Sequence, residues 1–221
     1  MLPYLGQRLR LQWYRIAHPE AVAQGNPFRQ IWVDAATITQ GLPRNSLQQG
    51  NHLAPLRYGM FCKKRAIGMV EGGDWDQRTR PYIPQTRLLF QALSGRWHRE
   101  TSWEETEFYR SVMERVEAGT EAWNGCRQPA DILKRCRRAD NLIERVRREG
   151  FRITGIPVVV CIGSDGSLIK LGNGQHRIML GIITGQRIPV LPVVRHRSWE
   201  ARRSNRSEQR ADLAGHPDLL T

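Results

Sequence analysis

Apolar positions along the chain change their period near residue 156. From 103 to 149 they recur every three or four residues, the spacing of helices with one buried face. Phe108, Val112 and Val116, flanked by Tyr109 and Met113, mark the inward side of a helix predicted over Trp103 to Ala118. Ser102 and Glu105 have capping-box spacing, and Gly119 supplies the stop. A second helix is expected to start at Pro129, a favoured first-turn residue, and to end at Gly150. Its inward stripe reads Ile132, Leu133, Cys136, Ala139, Ile143 and Val146, while arginines alternate with acids on the other face, as on a solvated, salt-bridged surface. The connection from Gly119 to Gln128 is too long for the tight turn of a DNA-reading helix-turn-helix.

Beyond 156 the pattern becomes that of strands. Ile156 to Ile162 is a continuous β-branched run, Ser164-Asp165-Gly166 is a turn, and Leu168 to Leu171 returns as the second arm of a hairpin. Asn173-Gly174 then opens a helix from Gln175 to about Ile183, stopped by Gly185. Ile188 to Val194 closes the unit as a strand whose two prolines suggest an edge or a bulge. The first sixty residues are less legible, with turn clusters at Gln24 to Pro27 and Gly41 to Asn45 and one short strand at Phe28 to Val33. A further apolar run at Ala66 to Val70 leads into a loop at Glu71 to Asp76, continued by the proline-bearing Arg78 to Pro84. These elements predict an α+β fold, a small mixed sheet with packed helices, preceded by a helical pair and an irregular N-terminal region. Residues 1–100 are expected to be an extension packed on the core, 101–195 the helical pair and the core itself, and 196–221 a polar, loosely held tail.

Composition narrows the class. In 221 residues, 40% hydrophobic and 25% charged content is that of a globular chain with a real core rather than a disordered one. Arginines interrupt the apolar N-terminus, so it has no secretory h-region, and no apolar run approaches the ~20 residues of a membrane span. A cytosolic location without a membrane partner is therefore expected. Cys62, Cys126, Cys136 and Cys161 lack zinc-site spacing and should be reduced thiols, Cys161 being a small core residue. The net charge of +13 is spread along the chain, with +4 in each of 1–60, 61–100 and 151–195 and none in 101–150, so no segment is a basic arm. Only Lys63, Lys64, Lys134 and Lys170 are lysines. The arginine excess suits phosphate ligands, and is also what a GC-rich genome produces.

The candidate chemistry lies at Asn173-Gly174-Gln175-His176-Arg177. A glycine turn that opens a helix leaves backbone N–H groups and the positive dipole end aimed at one spot, where anions bind. His176 and Arg177 in the first turn run against the preference for acids there, as expected of a functional position. His176 can donate to phosphate or act as a general base, and Arg177 adds a permanent cation. Asp74 and Asp76 are candidate ligands for a phosphate-bound Mg²⁺, provided their loop folds back beside this turn. Arg195 and His196 follow the last strand, where ligands collect in open α/β sheets, so Arg195 is a second-rank anion contact. Trp103, Phe108 and Tyr109 have the spacing of core residues, with base stacking as the rival role.

The succession of strand, Asp165-Gly166 turn, strand, Asn173-Gly174-Gln175-His176-Arg177, apolar helix and Ile188-Pro189-Val190 strand resembles the ParB N-terminal and sulfiredoxin superfamily over about residues 139–195. The lead-in Leu142 to Pro157, with Arg147-Arg148-Glu149-Gly150 before Ile156-Pro157-Val158, is similar to that superfamily as well. Gly72-Gly73-Asp74-Trp75-Asp76 and Trp103 to Tyr109 look like a bacterial and archaeal ParB-like subgroup. The resemblance implies a nucleotide ligand, ATP or CTP, whose phosphates meet Asn173, Gly174, Gln175, His176 and Arg177. It leaves open a Mg²⁺-dependent phosphotransferase or hydrolase, a nucleotide-sensing regulator, and a non-catalytic DNA- or RNA-binding module. Gln175 stands where sulfiredoxins carry their catalytic cysteine, so sulfinic-acid repair is not expected. ParB's downstream DNA-binding helices have no expected counterpart after the last strand.

Overall fold

The computed structural model describes residues 5–42, 67–123, 125–153, 157–172, 174–204 and 215–219. The expected turn at 43–45, the outer ends of the apolar run at Ala66 and of the strand at Ile156, and the candidate Asn173 lie outside these residues. In chain order the elements are α1 (Leu5–Ala17), β1 (Ile31–Asp34), β2 (Gln40–Gly41), β3 (Met69–Glu71), β4 (Arg80–Pro81), α2 (Leu88–Arg99), α3 (Glu107–Glu117), α4 (Pro129–Glu149), β5 (Val158–Ile162), β6 (Leu168–Lys170), α5 (Gln175–Thr184), β7 (Arg187–His196) and α6 (Arg197–Ser204). The fold is α+β, with a mixed seven-stranded sheet in the order β1-β7-β5-β6-β2-β4 and β3 also paired to β7. The three apolar runs after residue 156 share that sheet, and α5 packs on it. Among the described residues no helix is long and apolar enough to cross a membrane.

β7 is the strand on which the sheet is assembled. Every residue after Arg187 is buried, which explains its unbroken apolar sequence. β5 runs parallel along one edge. The other edge is divided, with β1 antiparallel against Arg187 to Val190 and β3 parallel against Val194 to His196. Pro192 falls between these two pairings and at the irregularity in the β5 register, so its missing N–H costs no ladder hydrogen bond to β1 or β3. Pro192 thus marks a bulge in an interior strand, whereas Pro189 lies within the regular pairing with β1. The N-terminal hundred residues supply β1 to β4 of the same sheet.

The core has two layers around the sheet and a third beyond α5. On one face Leu11 of α1 joins Met69, Trp75, Cys161, Ile169 and Val193. On the other, Ile178 of α5 meets Val158, Val160, Ile188 and Val190. Met179 and Leu180, the next residues of α5, enter a separate cluster with Leu93, Val112, Val116, Ile132, Cys136 and Ile143 of α2 to α4. α5 is therefore buried on both sides, consistent with its nearly all-apolar sequence.

Three helical details differ from the expectation. α3 starts at Glu107, where the Thr106 side chain accepts from Tyr109 N. The Glu105 carboxylate does accept from Ser102 N at 2.8 Å, but this closes a turn ahead of the helix rather than its first turn. Leu133 is 43% exposed and stands outside the inward stripe of α4. The apolar pattern predicts neither α1 nor α2, because arginines break it in the first and the second has no side-chain cap at its start.

The C-terminal tail is packed, not loosely held, where it is described. Trp199 of α6 is fully buried against the sheet. Asp218 lies beside it with a side chain 0% exposed, accepting from Arg195 Nε and Nη2 at 2.9 and 2.6 Å and from Trp199 Nε1 at 3.0 Å. Arg29 donates to the Asp218 carbonyl at 3.0 Å. Burial alone raises the pKa of Asp218, but the hydrogen bonds and charge of Arg195 outweigh it and hold the carboxyl below its ordinary 3.8. Its ionised form thus stabilises the fold at any pH above the ordinary value, and the contribution is lost as pH falls through the depressed native value. Asp218→Asn leaves the Arg195 charge buried without its counter-ion and is expected to cost about 3–5 kcal/mol at pH 7 in urea unfolding. The deficit should shrink when the same urea unfolding is carried out at pH values below 3.8.

Candidate functional site

An open cleft of about 740 Å³ lies where α2, α3, the connection after α3 and α5 converge. Arg87, Leu88 and Leu89 enter from the start of α2, Gln175 and His176 from the start of α5, Phe108, Ser111 and Arg115 from α3, and Glu121, Trp123 and Gly125 from the connection. Its size is that of a small-molecule site. Two helix N-termini line one concavity, and neither has a side-chain cap or an acidic residue in its first turn. The residues that open both helices, Leu88, Leu89, Gln175 and His176, line this space, and an uncapped first turn leaves N–H groups without intrahelical partners at the positive dipole end. Arg87, its guanidinium over the Tyr82 ring, and Arg115, which donates to Glu121 O at 3.0 Å, add two permanent cations.

Gly174 sets the position of α5 at this cleft. It caps the helix at φ +105, and a Cβ there would lie 2.9 to 3.2 Å from Val158 atoms of β5. Only glycine allows the helix to begin so close to the strand. Gln175 and His176 then follow directly into the cleft wall.

His176 is enclosed there. Burial, and secondarily the Arg135 charge, push its pKa down to about 4, and its Nε2 is buried without a hydrogen-bond partner. The imidazole is neutral at pH 7, and so acts as a hydrogen-bonding group rather than a counter-ion. Trp123, 5.9 Å away between ring centroids, carries the second orphan, its indole Nε1 being buried and unpartnered. Its backbone has φ +37, an outlier for a bulky side chain. The loop is held in this form by the Ala122–Cys126 bridge, whose carbonyls accept at 2.9 and 2.8 Å, and by Arg135 Nε donating to Cys126 Sγ at 3.0 Å. The Trp123 ring stands edge-on to Phe108 at 4.9 Å.

The other sequence candidates are elsewhere. Arg177 is half buried and does not line the cleft; burial and the neighbouring Arg145 of α4 lower its pKa. Asp76 accepts from Ser164 N at 2.7 Å, beyond the far end of β5, and Asp74 pairs with Arg78 at 2.8 Å on the surface. From Val158, which Gly174 touches, to Ile162 is roughly 13 Å of strand at about 3.3 Å per residue. The acidic loop does not fold back beside the Gly174 turn, so a Mg²⁺ shared between Asp74, Asp76 and that turn does not fit. Among the described residues no group of three or more His, Cys, Asp and Glu is arranged for a metal. Arg195 also lies at this far end, opposite Ile162, with its guanidinium bound by Asp218, and it takes no part in the cleft. His196 beside it accepts from Ser198 N through Nδ1 and so donates through Nε2 to Gly73 O at 2.9 Å. Trp103 is a core residue whose indole donates to Asp140, whereas Phe108 does reach the cleft.

Sequence reasoning missed Arg87, Arg115 and Trp123. A glycine-bounded tryptophan in a connection too long for a tight turn was the available signal for the last. Comparison of the chain with protein-family models, curated proteins and solved structures finds no match.

The enclosure of His176 has a measurable consequence. Its native pKa lies below the ordinary 6.5, so between about 4 and 6.5 the unfolded chain binds a proton that the native protein does not. Stability should therefore rise with pH through that window. His176→Phe is expected to flatten this dependence in urea unfolding from pH 4 to 7. An imidazole resonance of His176 titrating near 6.5 in the native protein would contradict the assignment.

Proposed function

We propose that the cleft binds the phosphate groups of an anionic small molecule, a nucleotide such as ATP or CTP in keeping with the superfamily resemblance of residues 139–195. The observation that carries this reading is the convergence of two uncapped helix N-termini with Arg87 and Arg115 in one cavity. Each uncapped end leaves backbone donors without intrahelical partners, and an anion satisfies both ends at once. The arginines supply forked donors and charge that a phosphate meets in pairs. Gln175 and His176 contribute from the α5 turn, His176 as a neutral donor or acceptor.

The site is read as one for binding and sensing. A phosphotransferase or hydrolase would draw on His176 as the general base, since a neutral imidazole accepts a proton. The rival module for DNA or RNA would instead spread its arginine contacts along a backbone and show steep salt dependence.

Arg115→Ala and Arg87→Ala are each expected to weaken nucleotide and inorganic tripolyphosphate binding by about tenfold or more at pH 7, the worth of a charge-assisted contact. Arg177→Ala, on the side facing α4, should weaken it less. Titration calorimetry checks all three. A wild-type protein whose melting temperature is raised by duplex DNA or RNA, but by neither ATP, CTP nor tripolyphosphate, would refute the reading.

A further inference from the structure

We propose that Trp123 Nε1 and His176 Nε2 form a second recognition element in the cleft, one that hydrogen-bonds the base of a nucleoside polyphosphate. The inference rests on the phosphate reading of the same cleft and adds which part of the ligand the remaining wall receives. Both atoms are buried and unpartnered, and their rings stand 5.9 Å apart. A buried polar atom without a partner bears its desolvation cost uncompensated, and a ligand that reaches both atoms removes it.

The loop is also held in a conformation that a tryptophan does not adopt unaided. The left-handed backbone of Trp123 is strained for a bulky side chain, and such strain collects at ligand clamps. The Ala122–Cys126 pairing and the Arg135 to Cys126 hydrogen bond hold the chain on either side of Trp123. The indole ring stands 5.9 Å from the imidazole and perpendicular to the Phe108 ring.

The chemistry of the two groups defines what they receive. Indole N–H only donates, so the ligand must offer an acceptor, while a neutral imidazole offers one donor and one acceptor. Neither group is a counter-ion, and a phosphate already has Arg87, Arg115 and the helix ends. A planar ring bearing acceptors and donors at its edge, as every nucleobase does, matches this pair of groups. The cleft also has volume for such a ring beside a phosphate chain.

The test is calorimetric titration at pH 7 of wild type and Trp123→Phe with ATP, CTP, GTP, UTP and inorganic tripolyphosphate. Phenylalanine keeps the aromatic wall and removes the N–H. At least one nucleotide should bind wild type about tenfold more tightly than tripolyphosphate, and Trp123→Phe should lose about tenfold for that nucleotide while tripolyphosphate stays within about twofold. The wild-type comparison needs no variant and is decisive if Trp123→Phe does not fold. Wild type binding tripolyphosphate as tightly as every nucleotide overturns this inference and leaves the phosphate reading standing. A nucleotide preference that survives intact in a folded Trp123→Phe also overturns it. Absence of binding by all five ligands overturns both.

Discussion

The close seat of α5 on the sheet is the constraint from which the rest of the structure follows. At Gly174 a Cβ would press on Val158, and at Gly181 one would lie 2.7 Å from Ile188 and 2.8 Å from Ala35. Two glycines seven residues apart bring the helix down onto β5, β7 and the turn after β1. Once seated, α5 presents Ile178 to the sheet and Met179 and Leu180 to the helices, and so joins two hydrophobic clusters. Its first turn is thereby fixed at the boundary between them, where packing of a helical layer against a sheet leaves a concavity. The cleft results from this geometry.

Electrostatics gives the concavity its character. The described carboxylates with buried or shared partners lie away from it, with Asp140 under Arg96 and Trp103, and Asp76 and Asp218 near the far end of β5. What reaches the cleft is two helix ends, two arginines, one neutral histidine and a single acid, Glu121. At the opposite end of the sheet the charge is internally matched, because Arg195, Arg203, Asp218 and Glu200 form a closed set. One end of the molecule is held together by paired charge, while at the other two arginines face a single acid.

How much of this was legible in the sequence varied with the strength of local signals. β5, β6, α5, β7 and α4 were readable because each combines a clean period with glycine or proline punctuation. α2 was not, and the reason bears on function. It has no capping side chain and no acidic first turn, so nothing in its sequence marks its start, and the same omission leaves its N-terminus open to an anion. The glycine turn at Gly174 was correctly located as the start of α5, but the side-chain directions were not deducible. His176 faces the cleft, and Arg177 does not line it. Arg195 read as a free cation at a strand end because its partner, Asp218, lies in a tail whose polar sequence suggested no packing. Asp74 and Asp76 share a spacing typical of metal ligands, yet Asp76 serves the Ser164 turn and Asp74 pairs with Arg78.

The claim that the cleft is an anion site formed by two helix ends is tested most directly by following backbone amides and the Trp123 indole N–H by NMR during titration with tripolyphosphate. The largest shifts should fall on Leu88, Leu89, Gln175 and His176, whose amides lie in the opening turns of α2 and α5. Shifts confined to the surroundings of Asp74, Asp76 and Arg195 at the far end of the sheet, with these amides unmoved at saturation, would contradict it.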